Sequence, residues 1–156
     1  MADAFPVTFN RVKAHLKANP GVELIVVDPR RTNTANCATL YVPVAPGGDI
    51  PLMNAVGRLL LERGAVDHDF VAAHTERLRG LQRFPPSRRL GRAGLGRGRP
   101  EATIRALADR VARSRALLTF YCQGLNQSTV GMWKNNSIIN LHLLTGQIGK
   151  PGAGPF

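Results

Sequence analysis

The run Glu23-Leu-Ile-Val-Val-Asp-Pro-Arg-Arg-Thr-Asn-Thr34 turns from apolar to charged at Asp28. Its apolar part, residues 24–27, is short, unbroken and rich in β-branched side chains. That is the pattern of a strand buried on both faces of a parallel sheet. Pro29 prevents the strand from continuing as a central one, so Asp28 stands where the chain leaves the core. In open α/β sheets, ligands bind beyond the carboxyl ends of strands. A carboxylate there can accept from a ribose diol or from a purine N–H pair, and Arg30 and Arg31 can meet phosphates. The same residues suit a plain Asx turn at Asp28 followed by two solvated arginines. Both readings fit the local sequence.

On the N-terminal side, Asp3 is placed to cap a helix with Pro6 in its first turn. Phe5, Phe9, Val12 and Leu16 form one stripe of that helix, and Asn19-Pro20-Gly21 ends it. Helix, tight loop and buried strand make half of a βαβ unit, whose earlier strand is expected upstream. On the C-terminal side a second short strand is expected over residues 40–44. Gly47 and Gly48 follow, then Asp49, then a helix opened by Pro51. Leu52, Val56, Leu59 and Leu60 face inward along it and Gly64 stops it. Asp49 fits an N-cap. It equally fits a carboxylate reading a ligand's base edge, with Gly47 and Gly48 letting backbone come close. A further short helix over residues 66–75 takes Asp67 as its cap. His68 and His74 lack partners at metal-ligand spacing and read as surface residues.

The 156 residues hold 44% apolar side chains and carry a net charge of +11, which excludes a generally disordered chain. No apolar run reaches the ~20 residues of a membrane span, and the N-terminus lacks the order of a signal peptide. Cys37 and Cys122 stand far apart, with no C-x-x-C for zinc or an iron–sulfur cluster. A reduced, cytoplasmic setting is expected, with no membrane partner. The charge is local, because residues 77–100 hold eight arginines and no acid, leaving +3 for the rest. This stretch, with five glycines and three prolines, has the composition of a basic tract that could contact nucleic acid. Phe84 is its one aromatic residue for base stacking, which argues against nucleic acid as a partner.

Regular structure resumes at Glu101. Ile104, Leu107, Ala108 and Val111 mark an amphipathic helix, and a buried strand is expected over residues 116–121. The segment Cys122-Gln-Gly-Leu-Asn-Gln-Ser-Thr129 leaves that strand rich in amides and hydroxyls. Such side chains suit a large polar heterocycle, and would equally satisfy loop backbone. A strongly apolar helix over residues 135–144 follows. His142 within it reads as a core or boundary histidine, and residues 146–156 as a turn-rich segment.

Four segments in order, Val27-Asp-Pro-Arg-Arg-Thr-Asn-Thr-Ala35, Pro46-Gly-Gly-Asp49, Gly124-Leu-Asn-Gln-Ser-Thr129 and Ile139-Asn-Leu-His-Leu-Leu-Thr-Gly-Gln-Ile-Gly-Lys-Pro-Gly-Ala-Gly-Pro-Phe156, resemble the catalytic subunit of the molybdopterin oxidoreductases. Within that family they most resemble bacterial assimilatory nitrate reductases. The first two motifs are shared with formate dehydrogenases and periplasmic nitrate reductases, and the last is the most specific. The resemblance covers residues 2–76 and 101–156. It implies an α/β, Rossmann-like parallel-sheet portion of such an enzyme, incomplete at both ends. Three stretches are expected: a nucleotide-binding segment 1–76, an anomalous Arg/Gly/Pro-rich stretch 77–100, and a second α/β segment 101–156 with a cofactor-contacting loop.

The resemblance further implies bis-molybdopterin guanine dinucleotide, a molybdenum cofactor, held by its guanine-nucleotide arm. Asp28, Pro29, Arg30, Arg31 and Thr32 would hold the ribose and guanine region. Gly47, Gly48 and Asp49 would form a second contact strip, with Asp49 on the base edge. Gln123, Asn126 and Gln127 would approach the pterin, although Gln123 stands where the family usually has methionine. The implied substrate is nitrate, reduced to nitrite with electrons from a donor that the sequence does not identify. The family's 4Fe-4S motif and molybdenum ligand lie upstream of any match here, so no catalytic or metal-ligating residue is assigned. The chain is expected to be an internal piece of a larger enzyme, inactive towards nitrate alone. Residues 77–100 interrupt otherwise family-like sequence. A compensated shift of reading frame in GC-rich DNA would account for that block, and this hypothesis predicts that an alternative frame restores family-like residues across it.

Overall fold

Pro6, with φ preset near the helical value and no N–H to satisfy, opens α1 (Pro6–Ala18) in the computed structural model, which describes residues 1–76 and 101–156. The basic-tract and frame-shift readings of residues 77–100 lie outside the described residues. The chain divides into two units, Met1–Pro46 and Gly47–Phe156, each with one pair of parallel strands among the described residues. The α/β class expected from the sequence is what the chain adopts.

In the first unit, Phe9 is buried on α1, while Val12 and Leu16 are half-covered and Phe5 is exposed. Asp3 does not cap this helix. Pro6 sets the start, Phe5 takes the cap position, and Asp3 Oδ1 instead accepts from Asn33 Nδ2 at 2.9 Å. β1 (Ile25–Val27) pairs in parallel with β2 (Leu40–Val42), Ile25 opposite Leu40 and Val27 opposite Val42. The crossover carries the short α2 (Asn33–Asn36) and is about as brief as a parallel connection allows. Val42, Val44 and Ala35 are buried. The expected burial of β1 on both faces does not hold, because Val27 is 36% exposed and Ile25 and Val26 are only partly buried.

The second unit is built on α3 (Asp49–Glu62), which packs against α5 (Glu101–Arg113) and α7 (Gly131–Leu144). The inward stripes read from the sequence meet here. Leu52, Val56, Leu59 and Leu60 join Ile104, Leu107, Ala108, Val111, Ile138, Leu141 and Leu144 in one core. Arg63, just past α3, reaches Asp109 on α5 at 2.9 Å, and Gly64 turns the chain with φ +65°. α4 (His68–His74) is capped by Asp67 as expected, the carboxylate accepting from Phe70 N–H at 2.9 Å.

β3 (Leu118–Thr119) pairs in parallel with β4 (Gly154–Pro155). The expectation of a buried strand over residues 116–121 is corrected: only two residues pair, and Leu118 and Phe120 are 41% and 55% exposed. Between these strands lie α6 (Gln123–Asn126) and α7. Gln147 is buried and binds backbone on three sides: its Oε1 accepts from Leu117 N–H at 3.0 Å and its Nε2 donates to the carbonyls of Thr145 and Ser114. It thereby ties the turn after α7 to the segment that enters β3.

Candidate functional site

Asp28 extends the β1 ladder by one bond, its N–H donating to Val42 O at 3.2 Å. Oδ1 accepts from Arg30 N–H at 2.8 Å, an Asx turn that turns the chain out of the strand. Tyr41 Oη donates to the Asp28 carbonyl at 2.9 Å, so the base of the turn is fixed from β2. Pro29 and Arg30 are exposed and Thr32 half-buried. The Arg31 guanidinium lies 5.7 Å from the Tyr41 ring centroid and donates through Nε to Asn36 Oδ1 at 3.2 Å. The turn reading of Asp28 is thus realised in the structure. It keeps one carboxylate oxygen and two guanidinium groups at the end of a parallel strand. The first unit therefore gathers Asp28 to Thr32 into one strip.

In the second unit, Gly47 has φ +79° and open space where a Cβ would stand. Gly48 occupies the cap position of α3 without any side-chain cap bond. Asp49 is not the cap. It is the first helical residue, where a carboxylate is favoured by the helix dipole, and its Oδ2 pairs with Lys134 Nζ of α7 at 2.9 Å. Lys134 is 7% exposed, a degree of burial lysine reaches only when paired. The helix begins at Gly131, four residues ahead of the expected start at Asn135, and so includes Lys134. The signal was present, since Lys134, Ile138 and Leu141 follow the i, i+4, i+7 spacing of the buried stripe.

Gln123, Asn126 and Gln127 lie on and just after α6 and are exposed. Backbone bonds hold this turn, Asn126 N–H to Cys122 O and Gln127 N–H to Gln123 O, each 3.0 Å. Among the described residues the three amide side chains make no hydrogen bond to this loop's backbone. Their position is set by Gly131, where an added Cβ would meet Asn126 O at 2.4 Å. His142 is 1% exposed, with its Nε2 2.8 Å from Thr119 Oγ1 and its Nδ1 buried without a partner among the described residues. Burial lowers its pKa from 6.5 to about 4. Cys37 and Cys122 are exposed free thiols. Among the described residues no three His, Cys, Asp or Glu side chains are grouped to hold a metal ion, and no helix is long and apolar enough to cross a membrane.

The family model for molybdopterin oxidoreductases matches residues 3–156. A nitrate reductase of Synechocystis sp. is 40% identical over 99% of this chain, which spans 22% of that protein. A formate dehydrogenase alpha subunit of Methanococcus maripaludis is 36% identical over 86% of the chain and 20% of its own length. The chain thus spans about a fifth of the length of these relatives. Among solved structures, acetylene hydratase from Pelobacter acetylenicus superposes over 93% of this chain and 20% of its own, with a TM-score of 0.79 at 23% identity, a likeness of fold. With the family model matched over residues 3–156, this chain belongs to the molybdopterin oxidoreductases.

Proposed function

We propose that the chain supplies part of the cofactor-binding framework of a molybdenum-dependent nitrate reductase, holding the guanine-nucleotide arm of bis-molybdopterin guanine dinucleotide. The 40% identity to a nitrate reductase along 99% of the chain carries this reading. The donor set fits the group. Asp28 offers an acceptor for a ribose diol, and Arg30 and Arg31 offer planar forks for phosphate. Asp49 offers an acceptor for base N–H groups. Gln123, Asn126 and Gln127 present amides with both donor and acceptor capacity towards the pterin. When bound, the cofactor supplies the oxygen-atom transfer that converts nitrate to nitrite. The residues of this chain bind and orient, and none is assigned a proton-transfer role. The 4Fe-4S cluster belongs to the whole enzyme in this reading and draws no ligand from Cys37 or Cys122. Their free thiols accord with a cytoplasmic setting.

The test is nucleotide content. The complete enzyme containing this chain, purified from molybdenum-replete cells, should release 5′-GMP on acid hydrolysis, and Asp28→Ala should lower the yield severalfold. A complete enzyme whose GMP content is unchanged by Asp28→Ala would remove the cofactor-binding role of this strip. Formate oxidation is the second reading, supported by the 36% identity to a formate dehydrogenase subunit. Assays of the chain within its complete enzyme, with nitrate and with formate, separate the two.

A further inference from the structure

Lys134 is the one lysine buried among the described residues, and it does not merely fill space. Its side chain is 9% exposed and that of Asp49 17%, so the carboxylate is the more open end of the pair. The ammonium engages Oδ2, while a carboxylate has roughly four acceptor positions on its two oxygens. Among the described residues, Oδ1 and a second lone pair of Oδ2 therefore remain for a ligand. The pair joins the first residue of α3 to the fourth residue of α7, next to the Gly47–Gly48 turn and the open space at Gly47.

We propose that Lys134 is a positioning residue for base selection: it fixes the Asp49 carboxylate in one orientation and cancels its charge. This rests on the reading of Asp49 as the contact to the base edge. Guanine presents N1–H and an N2 amino group side by side, two donors that match a carboxylate. Cytosine presents a ring acceptor beside its amino group, so one carboxylate oxygen faces a lone pair. That discrimination requires a carboxylate held in place, because a freely rotating one can turn the mismatched oxygen away. Charge matters as well. An uncompensated Asp49 carboxylate would oppose the diphosphate of any nucleotide arriving beside it, and the partly buried site screens such repulsion poorly. With Lys134 in place the pair is neutral, and selection rests on hydrogen bonding.

The experiment titrates the full chain with GDP and with CDP by calorimetry, for the wild type, Lys134→Met and Lys134→Arg. The wild type should prefer GDP by about tenfold or more, as expected of charge-assisted hydrogen bonds. Lys134→Met should weaken both nucleotides through the uncompensated carboxylate but GDP by the larger factor, so that most of the preference is lost, and Lys134→Arg should restore it. An equal loss for both nucleotides, or a preference that survives Lys134→Met, overturns the role of Lys134 while leaving Asp49 as the base contact. A wild type that takes GDP and CDP alike overturns the reading of Asp49 itself. If Lys134→Met fails to give a folded circular-dichroism spectrum, Lys134→Gln makes the same comparison, since its amide still donates to Asp49 without the charge. With the carboxylate still held, its preference for GDP should survive while both affinities fall, and a preference lost with the amide in place overturns the proposal.

Discussion

His142 sits on α7 at 1% exposure, one ring nitrogen on Thr119 and the other on nothing. Burial holds it neutral in the folded chain, with a pKa of about 4 against 6.5 when exposed. Below 6.5 the unfolded chain takes up a proton that the folded chain refuses. Stability is therefore full above pH 6.5 and falls as the pH drops towards 4, by up to about 3 kcal/mol. Urea midpoints of the wild type and of His142→Asn, followed from pH 7 to pH 4, should converge as the wild type loses this term. Parallel curves would assign the acid sensitivity elsewhere. At this scale the sequence was read well where one position had one task. Asp67 was expected as a cap and is one. Asp49 was legible as an acidic residue at a helix start, but its partner lies 85 positions later. No local rule distinguishes a cap from an ion pair with a distant lysine. Gln147 shows the same limit, since a glutamine in a glycine-rich turn gives no sign that it will bond three backbone groups.

The helices of the second unit were legible because their stripes are long. α5 buries the four residues that its periodicity named, and α3 buries its expected leucines. The strands were harder. Residues 116–121 are apolar enough for a core strand, yet the ladder is two residues long and Phe120 stands exposed. Apolar composition records what a segment could bury, whereas its burial depends on neighbours that local sequence does not reveal. The junction of α6 and α7 was not anticipated at all, because it depends on one missing methyl group. At Gly131 a Cβ would press on the Asn126 carbonyl, which is backbone and cannot swing aside. Gly131→Ala should destabilise the chain by about 1–3 kcal/mol, read as a lower denaturation midpoint. If Gly131→Ala matches the wild type, α6 shifts without cost and does not hold Asn126 and Gln127 in a fixed place.

For the whole molecule, the motifs identified a family where periodicity alone gave only a fold class. The match then extends over residues 3–156. Several large apolar side chains remain in water in the second unit: Leu118, Phe120 and Phe156 by the β3–β4 ladder, and Met132 and Trp133 at the start of α7. Unpaired strand edges beside exposed rings favour self-association. The net charge of +11 opposes it, and salt screens that repulsion. Sedimentation velocity should therefore show association that grows with added sodium chloride, and a Phe120→Lys, Phe156→Lys chain should stay monomeric over the same range. A wild type that remains monomeric at high salt would show these side chains to be harmless in water.

The β3–β4 pairing has one more consequence, in time and not in energy. Each residue of β3 meets a partner about 36 positions later in the chain. A ribosome adding about 5–20 residues per second leaves β3 without that partner for roughly 2–7 s after it is made. During this interval α6 and α7 must form and fold back before the ladder can close. The emerging polypeptide is therefore most exposed to chaperones and to neighbouring nascent chains just before Gly154 and Pro155 appear. A slow codon placed within residues 145–153 would lengthen that interval without changing a single amino acid.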